Sequence, residues 1–297
     1  MITSKIEQLR DPCILLENGI YYAYGSGRVF LEDGKSTIEW YCYKNTSGSL
    51  EGEWECLGNL CVTPEAAIDN HWAPEVHKYK DNFYMFTTYK SSKTGHRGCI
   101  VFKSASPEGP FVEITGGHFT PAEWDAIDAT LYVDENGQPW SVFVHEWTCT
   151  EDGIGRMAAV KLSDDLSHAI TEPIELFRAD DPEWCGGRRV TDGCWLYRTQ
   201  KGSLLMTWSN FSEEGYCVGI ARSDNGKIDG KWSQEGLLFS KTINGGTYDG
   251  GHGMIFRSIE GKLYMSLHSP NNPGATRKEV PIFIPLREEN DTLVWDR

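Results

Sequence analysis

RDPCILLENGIYYAYGSG, residues 10–27, joins an aliphatic run to an aromatic run through Glu-Asn-Gly. Asn-Gly between two β-rich runs is a strong hairpin signal. Asp11, at the head of the first run, is a poor strand residue and needs either a turn-forming or a chemical reason. Four later segments repeat the formula: APEVHKYKDNFYMFTTY from Ala73, DATLYVDENGQPWSVFVHEW from Asp128, DGCWLYRTQKGSLLMTWSN from Asp192 and HGMIFRSIEGKLYMSLHS from His252. Their period of roughly 60 residues is longer than the ~40–50 of a usual propeller blade, but the repeat has the same logic.

Each hairpin is followed by further strand-like material. STIEWYCYKN, GCIVFKSA, RMAAVKLS, CVGIARSD and EVPIFIPL read as third strands, and EWECLG, FVEITG, IELF, WSQEGLLF and TLVWD as fourth strands. The pattern predicts an all-β chain, a five-bladed β-propeller with four antiparallel strands per blade, forming one domain over residues 1–297. The last blade contains four strands of its own, so the ring is expected to close without exchanging a terminal strand.

A formal net charge of −15 excludes nucleic acid and anionic membrane surfaces as partners, because phosphates would be repelled. The 11 Trp, 13 Tyr and 12 Phe suit a large core and leave rings free to stack on a flat, neutral ligand. Nine scattered cysteines without a Cys-x-x-Cys pair fit a reducing compartment, and Cys13, Cys42, Cys99 and Cys217, within apparent strands, read as small buried thiols. The first residues, MITSKIEQLRDP, carry no apolar signal stretch, and with Met1 as the native start a cytoplasmic location is expected.

In a propeller the first strands line the central channel and begin at one mouth. Asp11, Asp128, Asp192 and His252 should therefore meet in space, beside Trp72-Ala-Pro-Glu75 of the second blade. Converging carboxylates suit glycoside hydrolysis, metal binding or a structural hydrogen-bond ring. In the first case one carboxyl protonates the leaving oxygen and another activates water or attacks carbon. Like charges held together push their pKa values apart, which keeps one of them protonated.

With these pieces in order, the chain resembles glycoside hydrolase family 43, five-bladed propellers acting on α-L-arabinofuranosides, β-xylosides and related linkages. The residues that carry the likeness are RDPCILLENGIYYAYGS, HWAPEVHKYKDNFYMF, AIDATLYVDENGQPW, TDGCWLYRTQKGSLLMTWS and GGHGMIF. The resemblance implies Asp11 as the general base, Asp128 as the carboxylate that orients and tunes the acid, and Asp192 as the acid. It implies inversion, hence a base-to-acid separation of roughly 6.5–9.5 Å. It implies a small oligosaccharide substrate and no required cofactor, with a calcium in the channel reached by His252 through water. Trp72 and Arg277 would contact the sugar.

The family usually carries Glu-Gly-Pro at the acid, where this chain has Asp192-Gly193-Cys194. Aspartate is shorter by a methylene, about 1.5 Å of reach. Glu146, in FVHEW, and Glu183, in DDPEWCGGRR, are alternative donors. His145, Trp147, Trp208 and His268, at the ends of second strands, are candidate sugar contacts, although propeller tryptophans more often pack between blades. The expectation is an inverting, exo-acting glycosidase for α-L-arabinofuranosides. β-Xylosidase or β-galactosidase specificity, a non-catalytic sugar-binding propeller, and a retaining invertase-like enzyme stand as alternatives. The invertase-like reading lacks its Asn-Asp-Pro-Asn signature in this chain.

Overall fold

The computed structural model describes residues 1–30, 36–271 and 278–297. Five antiparallel sheets follow one another along the chain. Their inner strands are Arg10–Glu17, Ala67–Tyr79, Ala126–Val133, Asp192–Arg198 and Gly251–Arg257. These strands neighbour each other in chain order, and the fifth returns to the first, which closes the ring. The third and fourth strands lie where the sequence places them, from Ser36–Asn45 and Glu55–Gly58 in blade one to Val280–Glu289 and Thr292–Trp295 in blade five. The chain is a five-bladed β-propeller. No described helix is long and apolar enough to cross a membrane.

Closure differs from the expectation in one respect. Blade five has its own four strands, but Ile2–Thr3 also pairs with its third strand, Ile2 opposite Phe283 and Thr3 opposite Ile282. The N-terminal residues are thereby tied to the last blade, with Ile6 and Leu9 buried between blades five and one.

Each blade interface has its own apolar core. Tyr24, Trp40 and Phe102 pack between blades one and two, and Phe86 and Phe143 between two and three. Trp140 and Trp208 fill the space between three and four, and Phe239 and Met265 between four and five. Alternation explains this: one face of each sheet meets the previous blade and the other meets the next.

The same irregularity interrupts all five inner strands. Pairing with the second strand slips between Arg10 and Cys13, Trp72 and Glu75, Ile127 and Thr130, Asp192 and Trp195, and Gly251 and Met254. Within each slip one residue has positive φ: Asp11 (52°), Ala73 (43°), Asp128 (56°), Gly193 (32°) and His252 (57°). A bulge of this kind bends the strand and re-aims its side chains.

This register corrects the sequence reading by one residue in blade four. Gly193, not Asp192, is the equivalent of Asp11, Asp128 and His252. Asp192 stands one residue earlier, where the other blades have Arg10, Trp72, Ile127 and Gly251. Gly193 has little freedom to be anything else: a Cβ there would lie 2.5 Å from the His252 ring.

Candidate active site

The N–H groups at the five bulges point sideways, toward the preceding blade. In four cases a side chain on that blade's second strand accepts the bond. Ser26 Oγ takes Ala73 N–H (2.8 Å), Thr88 Oγ1 takes Asp128 N–H (3.1 Å), Ser209 Oγ takes His252 N–H (2.8 Å) and His268 Nδ1 takes Asp11 N–H (3.2 Å). The corresponding residue of blade three is Val144, which has no acceptor. The Gly193 N–H goes instead to the carboxylate of Asp128, 3.0 Å from Oδ2. Buried N–H groups are almost always paired, so a missing acceptor on one residue is supplied by another.

At the mouth of the channel this frame surrounds a cavity of about 390 Å³. Its wall carries Asp11, Asp128 and Asp192, with His252, Glu146, Trp72 and Trp147. Arg10, Ser26, Arg28, Ile38 and Ile127 complete it. His252 is the hub. Its Nδ1 lies 3.4 Å from Asp11 Oδ1, 3.7 Å from Asp128 Oδ2 and 3.9 Å from Asp192 Oδ1. These distances set only an upper limit on the gap between the Asp11 and Asp192 oxygens, and they bring both carboxyls to one site.

The three carboxyls have different surroundings. Burial alone would raise Asp11, but His252 and Arg10 outweigh it and hold the group well below the usual carboxylate range. Ser26 adds a donor: its oxygen already accepts Ala73 N–H, so its proton points to Asp11 Oδ2 at 2.7 Å. Asp128 is pushed up to about 6, first by burial and further by Asp11 and Glu146, against the lowering influence of Asp192 and Gly193 N–H. Asp192 is raised well above its ordinary value by burial and by the neighbouring Asp128 carboxyl. The same contact lowers Asp128 while it raises Asp192, so of the two Asp192 is the one that keeps the proton. The side chain of Asp192 is 22% exposed toward the cavity, and Tyr216 Oη donates to its Oδ2 at 2.7 Å.

Glu146 ends the second strand of blade three and is 5% exposed. Its carboxyl is pushed up to about 7 by burial, with Arg97 opposing. Arg97 Nε stands 2.8 Å from Glu146 Oε2, but neither atom is aligned for a hydrogen bond. The same guanidinium lies 5.6 Å from the centre of the Trp72 ring, so it backs the wall that Trp72 forms.

Several sequence candidates lie elsewhere. Glu183 sits on an exposed 3₁₀ turn, Glu183–Cys185, outside the cavity wall. Trp208 is fully buried between blades three and four, its Nε1–H bonded to Gln234, so it packs the interface and does not face the cavity. His145 stacks flat on Trp124 at 3.6 Å and is pushed down to about 4 by burial. His268 is wholly buried behind Asp11, as the acceptor of its N–H. Arg277 lies outside the described residues.

Conversely, Arg10, Ser26, Arg28, Ile38 and Tyr216 were not singled out in the sequence. Arg10 and Ile127 share the pre-bulge position with Trp72 and Asp192, so the correct register would have found them. Arg28 and Ile38 face each other on the long second and third strands of blade one.

As direct ligands, the donors at the hub do not suit calcium. Asp128, Asp192 and His252 each offer one atom within 4.8 Å of the others. One of these donors is an imidazole nitrogen, whereas calcium takes six to eight oxygens. Asp128 Oδ2 and Asp192 Oδ2 are already bonded to Gly193 and Tyr216.

A propeller with acids of split protonation around one polar cavity is the architecture of a carbohydrate-active protein. The family profile described as glycosyl hydrolases family 43 matches residues 63–283. The chain belongs to that family. It superimposes on the crystal structure of an endo-arabinase from Bacteroides thetaiotaomicron with a TM-score of 0.83 and 31% identity, covering 98% of this chain and 99% of that one. It is 25% identical over 213 residues to an extracellular exo-alpha-(1->5)-L-arabinofuranosidase of Cellvibrio japonicus, covering 68% of this chain and 55% of the relative. With an extracellular endo-alpha-(1->5)-L-arabinanase of Bacillus subtilis it shares 26% identity over 157 residues, 48% of this chain and 45% of the relative. The chain thus spans about half the length of these curated relatives. Both are named as extracellular, which overturns the expectation of a cytoplasmic location. That expectation rested on Met1 as the native start and on the unpaired cysteines, but buried strand thiols follow from packing in any compartment.

Proposed function

We propose that the chain is a glycosidase that removes α-L-arabinofuranosyl units from arabinan-type oligosaccharides by direct displacement with water. One observation carries the reading: two carboxyls in the same cavity, Asp11 and Asp192, are driven in opposite directions from similar starting values. Asp11 stays ionised and can activate water as general base. Asp192 keeps its proton and can deliver it to the leaving oxygen, and Asp128 accepts that proton's hydrogen bond and so aims it. The order of events is attack by the Asp11-activated water on the anomeric carbon, cleavage of the glycosidic bond, and transfer of the Asp192 proton to the departing oxygen.

Release of a terminal residue suits a cavity of about 390 Å³ bounded by Trp72, Trp147, Arg28 and Ile38. The named relatives include both exo and endo enzymes, so the products decide the mode. Single arabinose released from short arabinans supports exo action, and a ladder of oligosaccharides opposes it. Proton NMR of the first anomer formed reads inversion directly.

A panel of nitrophenyl α-L-arabinofuranoside, β-xyloside and β-galactoside separates the specificities, and no release from any of them or from an arabino-oligosaccharide leaves a sugar-binding propeller. A second donor is favoured by one feature, the value of about 7 at Glu146 in the cavity wall. Asp192→Asn and Glu146→Gln, assayed on an unactivated arabino-oligosaccharide, tell the two apart. The donor's loss should cost far more on that substrate than on the nitrophenyl compound, which leaves without a proton.

A further inference from the structure

Asp192 is a short acid, and something must compensate for the missing methylene. Its Oδ2 is met by the hydroxyl of Tyr216, which reaches it from the third strand of blade four. The ring is 2% exposed and lies in a slot made by its neighbours. A Cβ on Gly251 would come within 2.3 Å of the ring, and His268 stacks on it at 5.6 Å and 28°. Tyr216 N–H is bonded to Asp249 Oδ2 at 3.1 Å. Gly215, just before it, has φ of +112°, and a Cβ there would clash with the same Asp249 oxygen. Gly251 thus makes room for the ring, and Gly215 for the Asp249 carboxylate that holds its backbone N–H.

We propose that Tyr216 is the positioning residue of the acid, fixing the Asp192 carboxyl so that its proton is carried on Oδ1. This rests on the assignment of Asp192 as donor. With Oδ2 occupied as the acceptor of the Tyr216 hydroxyl, Oδ1 is the protonated oxygen, and it is the one nearer His252 Nδ1. In the reaction the Asp192 Oδ1–H bond breaks and an O–H bond forms on the leaving oxygen. Tyr216 keeps its own proton, and its bond strengthens onto the new carboxylate charge.

Tyr216→Phe removes the hydroxyl and keeps the ring. On arabino-oligosaccharides kcat should fall by about ten- to a hundredfold with KM within about twofold, whereas nitrophenyl arabinofuranoside should lose no more than about threefold. Gly251→Ala, which displaces the ring with its hydroxyl intact, should reproduce the same leaving-group-dependent loss in a variant whose circular dichroism matches the parent. Equal losses on both substrates, a rise in KM alone, or unchanged rates overturn the proposal. Asp192→Asn is run beside them. If it is inactive on oligosaccharides while Tyr216→Phe is normal, only the positioning role fails. If Asp192→Asn retains full activity, the donor assignment fails and this inference fails with it.

Discussion

Asp11 and Asp128 occupy the same position in blades one and three, at a bulge with φ above +50°, each with its N–H capped by the preceding blade. They differ in one neighbour on the second strand. Blade one has Ser26, which accepts the next blade's bulge N–H and donates a hydrogen bond to Asp11. Blade three has Val144, so the next bulge N–H bonds Asp128 directly. The first arrangement leaves Asp11 among His252, Arg10 and a hydroxyl donor, held low. The second draws Asp128 against blade four, where burial and the charges of Asp11 and Glu146 raise it. One backbone motif thus gives two electrostatic outcomes, and the choice between them is made by one position on the second strand, Ser26 in blade one and Val144 in blade three.

The comparison can be broken in graded ways. Asp11→Asn should cost the most, roughly 10²- to 10⁴-fold in kcat, the usual contribution of a general base. Because no proton donor is lost, that cost should appear on nitrophenyl and unactivated substrates alike. An equal effect of leaving group in Asp11→Asn and Asp192→Asn would remove the distinction between base and acid.

Val144→Thr gives blade three the hydroxyl of blade one. The new oxygen should take Gly193 N–H and push the Asp128 carboxyl off it, lowering kcat by about tenfold through misplacement while KM changes little. Val144→Ala controls for packing and should lose stability more than rate. Should Val144→Thr match the parent in kcat, the direct Gly193–Asp128 bond has no catalytic weight. The reciprocal change, Ser26→Val, orphans Ala73 N–H and deprives Asp11 of a donor. About 1–3 kcal/mol of stability should be lost, measured by urea unfolding, with a several-fold fall in kcat.

The smallest effect is on stability against pH. Asp128 has a folded value of about 6, above the ordinary ~3.9 of an unfolded chain. A raised carboxyl favours folding below the unfolded value and loses that contribution as pH rises through about 6. Asp128→Asn keeps the oxygen that accepts Gly193 N–H and never ionises. Its Tm should exceed the parent's by about 2–4 °C at pH 7.5, with the gap vanishing below about pH 4. A gap independent of pH would mean that Asp128 is not held in the raised state.

Much of the propeller was legible because hairpins are local. Glu-Asn-Gly at 17–19 and Glu-Gly at 260–261, between β-rich runs, mark the turns without reference to the rest of the chain. Even convergence at one mouth follows once five repeats are counted. The one-residue error at blade four has a definite cause. Residue type suggested aligning Asp192 with the other aspartates, but the repeat is a backbone conformation, and only φ identifies Gly193 as its member. Trp147 and Trp208 looked alike in the sequence, each near the end of a second strand. One lines the cavity and the other is sealed between blades, since the adjoining blade decides which face is covered.

From the chain alone came the number of blades, the order of strands and the acids gathered at the channel, since turn chemistry and period-two alternation act over a few residues. What tertiary structure alone decided is which acid holds a proton. That depends on Ser26, Val144, His252 and Tyr216 arriving within hydrogen-bond reach from neighbouring strands and blades, and electrostatic coupling is set by distance in space, which separation along the chain does not reveal.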